Sequence, residues 1–111
     1  MAREARRPFI TPRVTVLVTV TDLKGVRQPG GGQLESLLST KYKSNANPQD
    51  ASLVDRVKVD ESVDTIGFHT LSTISYDDLD TVREVAEKSV RDMDMNIIDT
   101  AVSAEIERAS L

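Results

Sequence analysis

The sequence predicts an α+β domain: an antiparallel sheet of about three or more strands followed by two C-terminal helices, closing into a dimer. Three observations carry that expectation. β-Branched residues alternate with polar ones along residues 13–21. Two further strand-like runs, 52–59 and 63–74, are joined by a short polar link. From Ser75 onward the apolar period changes from two to about 3.6.

The elements follow in order. Residues 1–12 lack periodicity and contain Pro8 and Pro12, which suggests a flexible basic arm ahead of a single domain spanning 13–111. In the first strand Val14, Val16, Val18 and Val20 share one face, and Arg13, Thr15, Thr19 and Thr21 the other. The next stretch, QPGGGQ at 28–33, sits where a phosphate loop would. Gly25 and Gly30 keep the Walker spacing, but Gly31 and Gly32 replace the lysine and the hydroxyl residue that hold phosphate and magnesium. The dinucleotide pattern fails as well, since Glu35 stands at its third glycine. The loop therefore reads as an adaptable connection.

Residues 34–38, LESLL, fit one helical turn or a short strand, and 41–50 are polar with Asn47-Pro48 as a breaker. In 52–59 Leu53, Val57 and Val59 oppose Arg56 and Lys58. In 63–74 Ile66, Phe68, Thr70, Ser72 and Ile74 oppose Thr65, His69 and Thr73. Two strands so closely linked should form a hairpin. Ser75 is a good N-cap, Asp78 completes a capping box, and Ile74 with Leu79 fits a hydrophobic staple. Asp77, Asp78 and Asp80 suit the positive end of a helix dipole. One stripe then runs Leu79, Val82, Ala86, Val90, Met93, and a second runs Ile98, Ala101, Val102, Ile106, Ala109. They suggest two helices broken near 93–96, with one long helix as the alternative.

Composition narrows the function classes. A chain of 111 residues fits one domain, and 4% aromatic content makes its core aliphatic. The absence of cysteine excludes disulfides, thiolate catalysis and cysteine-bound zinc. His69 is the only histidine, so no histidine pair is available for a metal, and the acidic clusters lack the spacing of a calcium loop. With no nucleophile–base motif, the expectation is a non-enzyme without metal or cofactor. No apolar run is long enough for a membrane span. Net charge is −4, distributed as +3 over residues 1–13, −1 over 14–76 and −6 over 77–111. A basic arm on an acidic body suits contact with phosphate or an acidic neighbour. The non-core sheet face would display Arg13, Thr15, Thr19, Arg56, Lys58, Thr65, His69 and Thr73. Of these, Arg13, Thr15, Arg56, Lys58 and His69 are the candidates for nucleic-acid contact; a plain solvent-facing sheet is the alternative.

The last third, FHTLSTISYDDLDTVREVAEKSV followed by NIIDTAVSAEI, resembles the coat proteins of small single-stranded RNA bacteriophages. In that family an alternating strand leads through a Ser/Thr-Asp cap into an amphipathic helix, and a second helix follows. The matching features here are residues 68–74, Ser75 to Asp78, and Ile97-Ile98-Asp99. The resemblance implies an intertwined dimer whose helices cross the partner's sheet, with the polar sheet face toward the genome. The expected function is thus a self-assembling structural protein, a viral coat subunit packaging nucleic acid. It would sit in the virion, or otherwise the cytoplasm, with itself and RNA as partners and no membrane. Leu79, Val82, Val90, Ile98 and Val102 are the expected dimer interface, consistent with two apolar stripes that so small a sheet would leave partly uncovered. The alternative is a small dimeric binding or adaptor module that docks a partner on acidic helices.

Overall fold

The computed structural model describes residues 13–25, 33–70 and 74–105. The arm at 1–12, the glycine loop before Gln33, Thr73, Ile106 and Ala109 lie outside the described residues. The Val/Thr alternation forms β1 (Arg13–Val20), followed by a single 3-10 turn at Leu23–Gly25. Then come α1 (Gln33–Asn45), a four-residue helix α2 (Pro48–Ala51), β2 (Val54–Asp60), β3 (Thr65–Thr70), α3 (Tyr76–Asp92) and β4 (Ile97–Glu105). The sheet order is β2-β3-β1-β4, and every neighbouring pair is antiparallel.

This order corrects the expected architecture. The helices are interspersed among the strands, and residues 97–105 form a strand where a second terminal helix was expected. The physical reason lies in β1. Its two sides must both be paired if it is to be a central strand, and β4 pairs the side that β3 leaves open. Ile97, Ile98, Thr100 and Val102 are β-branched and suit that role. A bulge between Thr19 and Val20 skips Ile98, which disguises the two-residue period. β1 and β2 both run antiparallel to β3, so they are parallel to each other, and so are β3 and β4. Each parallel pair is connected through a helical segment that passes over an intervening strand. The result is the split βαβ, or ferredoxin-like, topology.

α1 joins the short apolar run 34–38 to the polar stretch after it. Leu34, Leu38 and Tyr42, four residues apart, are its buried rungs. Asn47 caps α2 by accepting a 2.8 Å bond from Asp50 N, with Pro48 in the first turn. α3 begins as expected, with Ser75 Oγ accepting from Asp78 N at 3.1 Å. It ends without glycine or proline. Asp94 takes the left-handed conformation (φ 62°), its N–H bonds Arg91 O, and Met95 N–H reaches back to Val90 O. Met95 and Val90 are both buried, completing a Schellman motif with its hydrophobic contact. The expected break at 93–96 is therefore real, but it leads into a strand.

Helices α1 and α3 cover one face of the sheet. The core joins Val16, Val18 and Val20 of β1, Val54 and Val57 of β2, and Ile66 and Phe68 of β3 to Leu34, Leu38, Tyr42, Val82, Ala86 and Val90 of the helices. Tyr42 is buried, and its hydroxyl donates to Asp50 O at 3.3 Å. Burial, together with the Asp50 carboxylate, pushes the phenol above its ordinary range. A raised pKa in the folded state means that the protonated ring favours folding below the unfolded value of about 10, and that this contribution is lost as pH rises above it. Tyr42→Phe should lose about 1 kcal/mol at neutral pH through the missing hydrogen bond. It should also decline less steeply in stability than the parent above about pH 10, as urea midpoints at the two pH values would show.

Candidate functional site

The sheet face that α1 and α3 leave uncovered is a grid of rows set by strand register. The first row crosses the sheet as Arg56, His69, Thr15 and Ser103; the second as Lys58, Gly67, Leu17 and Ala101; the third as Asp60, Thr65, Thr19 and Asp99. All five residues read as nucleic-acid candidates lie on this face, with Arg13 beyond the first row on β1. The fourth column is not visible in the sequence, because the apolar residues of 97–105 also fit a helical stripe. Asp99, Ala101 and Ser103 belong to the face, and Asp99 with Asp60 makes its third-row end acidic, while the first row and Arg13 make the near end basic.

Two local devices build the basic corner. On β2, Val54 faces Thr70 and Arg56 faces His69, so Asp55 is an extra residue in a bulge. The bulge places Val54 on the core side and Arg56 on the open side, two positions that simple alternation would have put together. On β3, Thr70 closes the end of the pairing through its side chain: Oγ1 donates to Val14 O at 2.9 Å and accepts from Val14 N at 3.1 Å. This clamp holds Arg13 and Thr15 beside His69.

Within the corner, Thr15 Oγ1 and His69 Nδ1 share a hydrogen bond of 3.0 Å, whose direction follows the ring tautomer. A Cβ on Gly67 would stand 3.3 Å from His69 Nε2 and 3.2 Å from the Thr15 methyl. Glycine at this position leaves room for the imidazole to lie over the sheet. Arg13, Val14, Thr15, Asp55, Arg56, His69 and Thr70 surround a pocket of about 80 Å³, with space for one small anionic group. Arg13, Arg56 and Lys58 are exposed and form no ion pair among the described residues. Asp55 contributes the pocket's opposing charge.

The expected dimer-interface residues separate into two groups. Val82 and Val90 are fully buried within the chain's own core. Leu79 is half-buried, Ile98 is 63% exposed and Val102 is 39% exposed. Leu79 and Val102 line an apolar groove of about 450 Å³ between the start of α3 and the ends of β1 and β4, together with Val14, Ile74, Tyr76 and Ala104. Among the described residues, no cluster of three or more His, Asp or Glu side chains is placed to hold a metal ion, and no helix is long and apolar enough to cross a membrane. No family model matches the chain, and no curated protein or solved structure matches it.

Proposed function

We propose that the chain is a small binding module that takes the phosphate backbone of single-stranded RNA on the basic end of its open sheet face. The observation that supports this reading is the convergence of Arg13, Arg56 and His69 from three strands around one small pocket, with both guanidinium groups exposed and outside any ion pair of the described residues. Arginine presents a planar fork of donors matched to phosphate oxygens, and Thr15 adds a hydroxyl. The face has no Phe, Tyr or Trp side chain in its three rows. Phosphate contacts therefore dominate, and binding depends little on sequence. The coat-subunit reading loses the second terminal helix on which its resemblance drew, since those residues form β4. What remains of it is the polar sheet face turned toward nucleic acid.

Anisotropy titration of a labelled single-stranded RNA against salt tests the proposal. Three cations, Arg13, Arg56 and Lys58, give an expected slope of log K on log salt of about −2 for a single strand. Arg13→Ala combined with Arg56→Ala should weaken binding roughly tenfold or more and reduce the slope by about 1.4. No binding at about 50 mM salt, or an unchanged slope in the double variant, would overturn it.

A further inference from the structure

The two edges of the sheet are unequally defended. β2 carries Asp55, Arg56, Lys58 and Asp60 and is interrupted by a bulge. One of its outward N–H groups is already taken, since Val59 N donates to Glu35 Oε2 of α1 at 2.7 Å. These are the devices that keep an edge from pairing. β4 is longer, at nine residues, has no lysine or proline, carries its bulge only at its start, at Ile98, and no described strand lies on its outer side. Apolar Val102 and Ile98 are exposed along it, and the apolar groove opens beside it.

Its hydrogen-bonding polarity can be read from β1. Val20 N donates to Asp64 O and Val14 N to Thr70 Oγ1, so even-numbered residues of β1 turn their N–H groups toward β3 and odd-numbered ones toward β4. The β4 residues opposite Thr15, Leu17 and Thr19 are Ser103, Ala101 and Asp99, and these exchange bonds with β1. Thr100, Val102 and Ala104 consequently turn their N–H and C=O groups outward. A second β4 laid antiparallel can pair with these groups when the two-fold axis passes through Ala101. Thr100 then faces the partner's Val102, Asp99 faces the partner's Ser103, and no acid faces an acid.

We propose that two copies of this chain join through their β4 edges in this register, forming one continuous eight-stranded sheet. The contact is isologous, as a two-fold dimer requires. Charge is compatible with the register, since Asp99 meets a hydroxyl. Ile98 lies against the partner's Ala104, beside the partner's apolar groove. Dimerisation through β4 leaves the basic corner of each copy on the open face, and stands independently of what that corner binds.

The chain has no cysteine, so a single introduced thiol reports the register. Across the axis, Ala101 and its copy form a non-hydrogen-bonded pair with Cα atoms about 4.5 Å apart, within disulfide range. Copies of Ser103, on the same exposed strand, lie about 13 Å apart along the strands. Mild oxidation should therefore convert Ala101→Cys to a covalent dimer, while Ser103→Cys remains largely uncrosslinked. Sedimentation of the unmodified chain should show a dimer, and Val102→Lys should shift it to monomer with its circular dichroism retained. A monomer at every concentration, or equal crosslinking of the two cysteine variants, would overturn the proposal. If Val102→Lys unfolds, the two cysteine variants still decide it.

Discussion

Phe68→Ala is expected to lower stability by about 3–5 kcal/mol, a large part of the roughly 5–15 kcal/mol of a domain this size. Phe68 is fully buried at the centre of the helix-facing side of the sheet. Strand register puts Val57 on one side of it and Val16 on the other. Tyr42 of α1 covers it from above, with ring centroids 5.8 Å apart and planes tilted by 38°, a geometry that adds to simple burial. With aromatic residues at 4% of the chain, this is a scarce kind of contact here. Alanine would leave a cavity bounded by two strands and a helix, and backbone hydrogen bonding limits how far the strands can collapse into it. Urea unfolding should show a lower midpoint with an unchanged slope, and the melting temperature should fall by roughly 10 °C or more. Phe68→Leu, which keeps most of the volume, should lose markedly less. A loss below about 1 kcal/mol for alanine would show that Phe68 does not anchor the helix layer to the sheet.

Much of the open face was legible because its signal is local. Alternation in residues 13–21, 52–59 and 63–74 assigned Arg13, Thr15, Arg56, Lys58 and His69 to a non-core side, and strand pairing brings them together on one face. The Ser75 cap was legible for the same reason, since a hydroxyl and an N–H three residues apart meet within one turn. What failed depended on partners distant in sequence. β4 has apolar residues at positions that satisfy a helical stripe, and only the vacant side of β1 decides for a strand. α1 was within reach: Leu34, Leu38 and Tyr42 recur every four residues, but the third rung stands between two lysines and was counted with the polar stretch. The Schellman stop at Asp94 uses aspartate where glycine is usual, so the break was visible only as a change in apolar pattern. The bulge at Asp55 and the Thr15–His69 bond require the fold itself, because each depends on which strand lies alongside.

Asp64→Ala is expected to cost about 2–4 kcal/mol, although the residue is only a turn between β2 and β3. Three features converge on it. Its φ of 55° lies in the left-handed region, which aspartate tolerates better than alanine. Its carbonyl accepts from Val20 N at 2.9 Å, which extends the β1–β3 pairing past the strand end. Its Oδ1 accepts from Leu23 N at 3.1 Å, and Leu23 is fully buried. Alanine keeps the carbonyl but strands the Leu23 N–H and increases the backbone strain. The two contributions separate in a short series of variants. Asp64→Asn retains an acceptor oxygen and the left-handed tolerance, and should lose least. Asp64→Gly relieves the backbone but not the lost bond, and should fall between. The order Asn, Gly, Ala in denaturant midpoints is thus the expected result, and Gly falling below Ala would refute the role given to φ. The consequence reaches the open face. Asp64 fixes where β1 leaves β3, and that register sets Thr15 opposite His69. A loosened Asp64 turn should therefore weaken the proposed RNA binding in the alanine variant even under conditions where it remains folded, although the turn lies at the opposite end of β3 from the arginines.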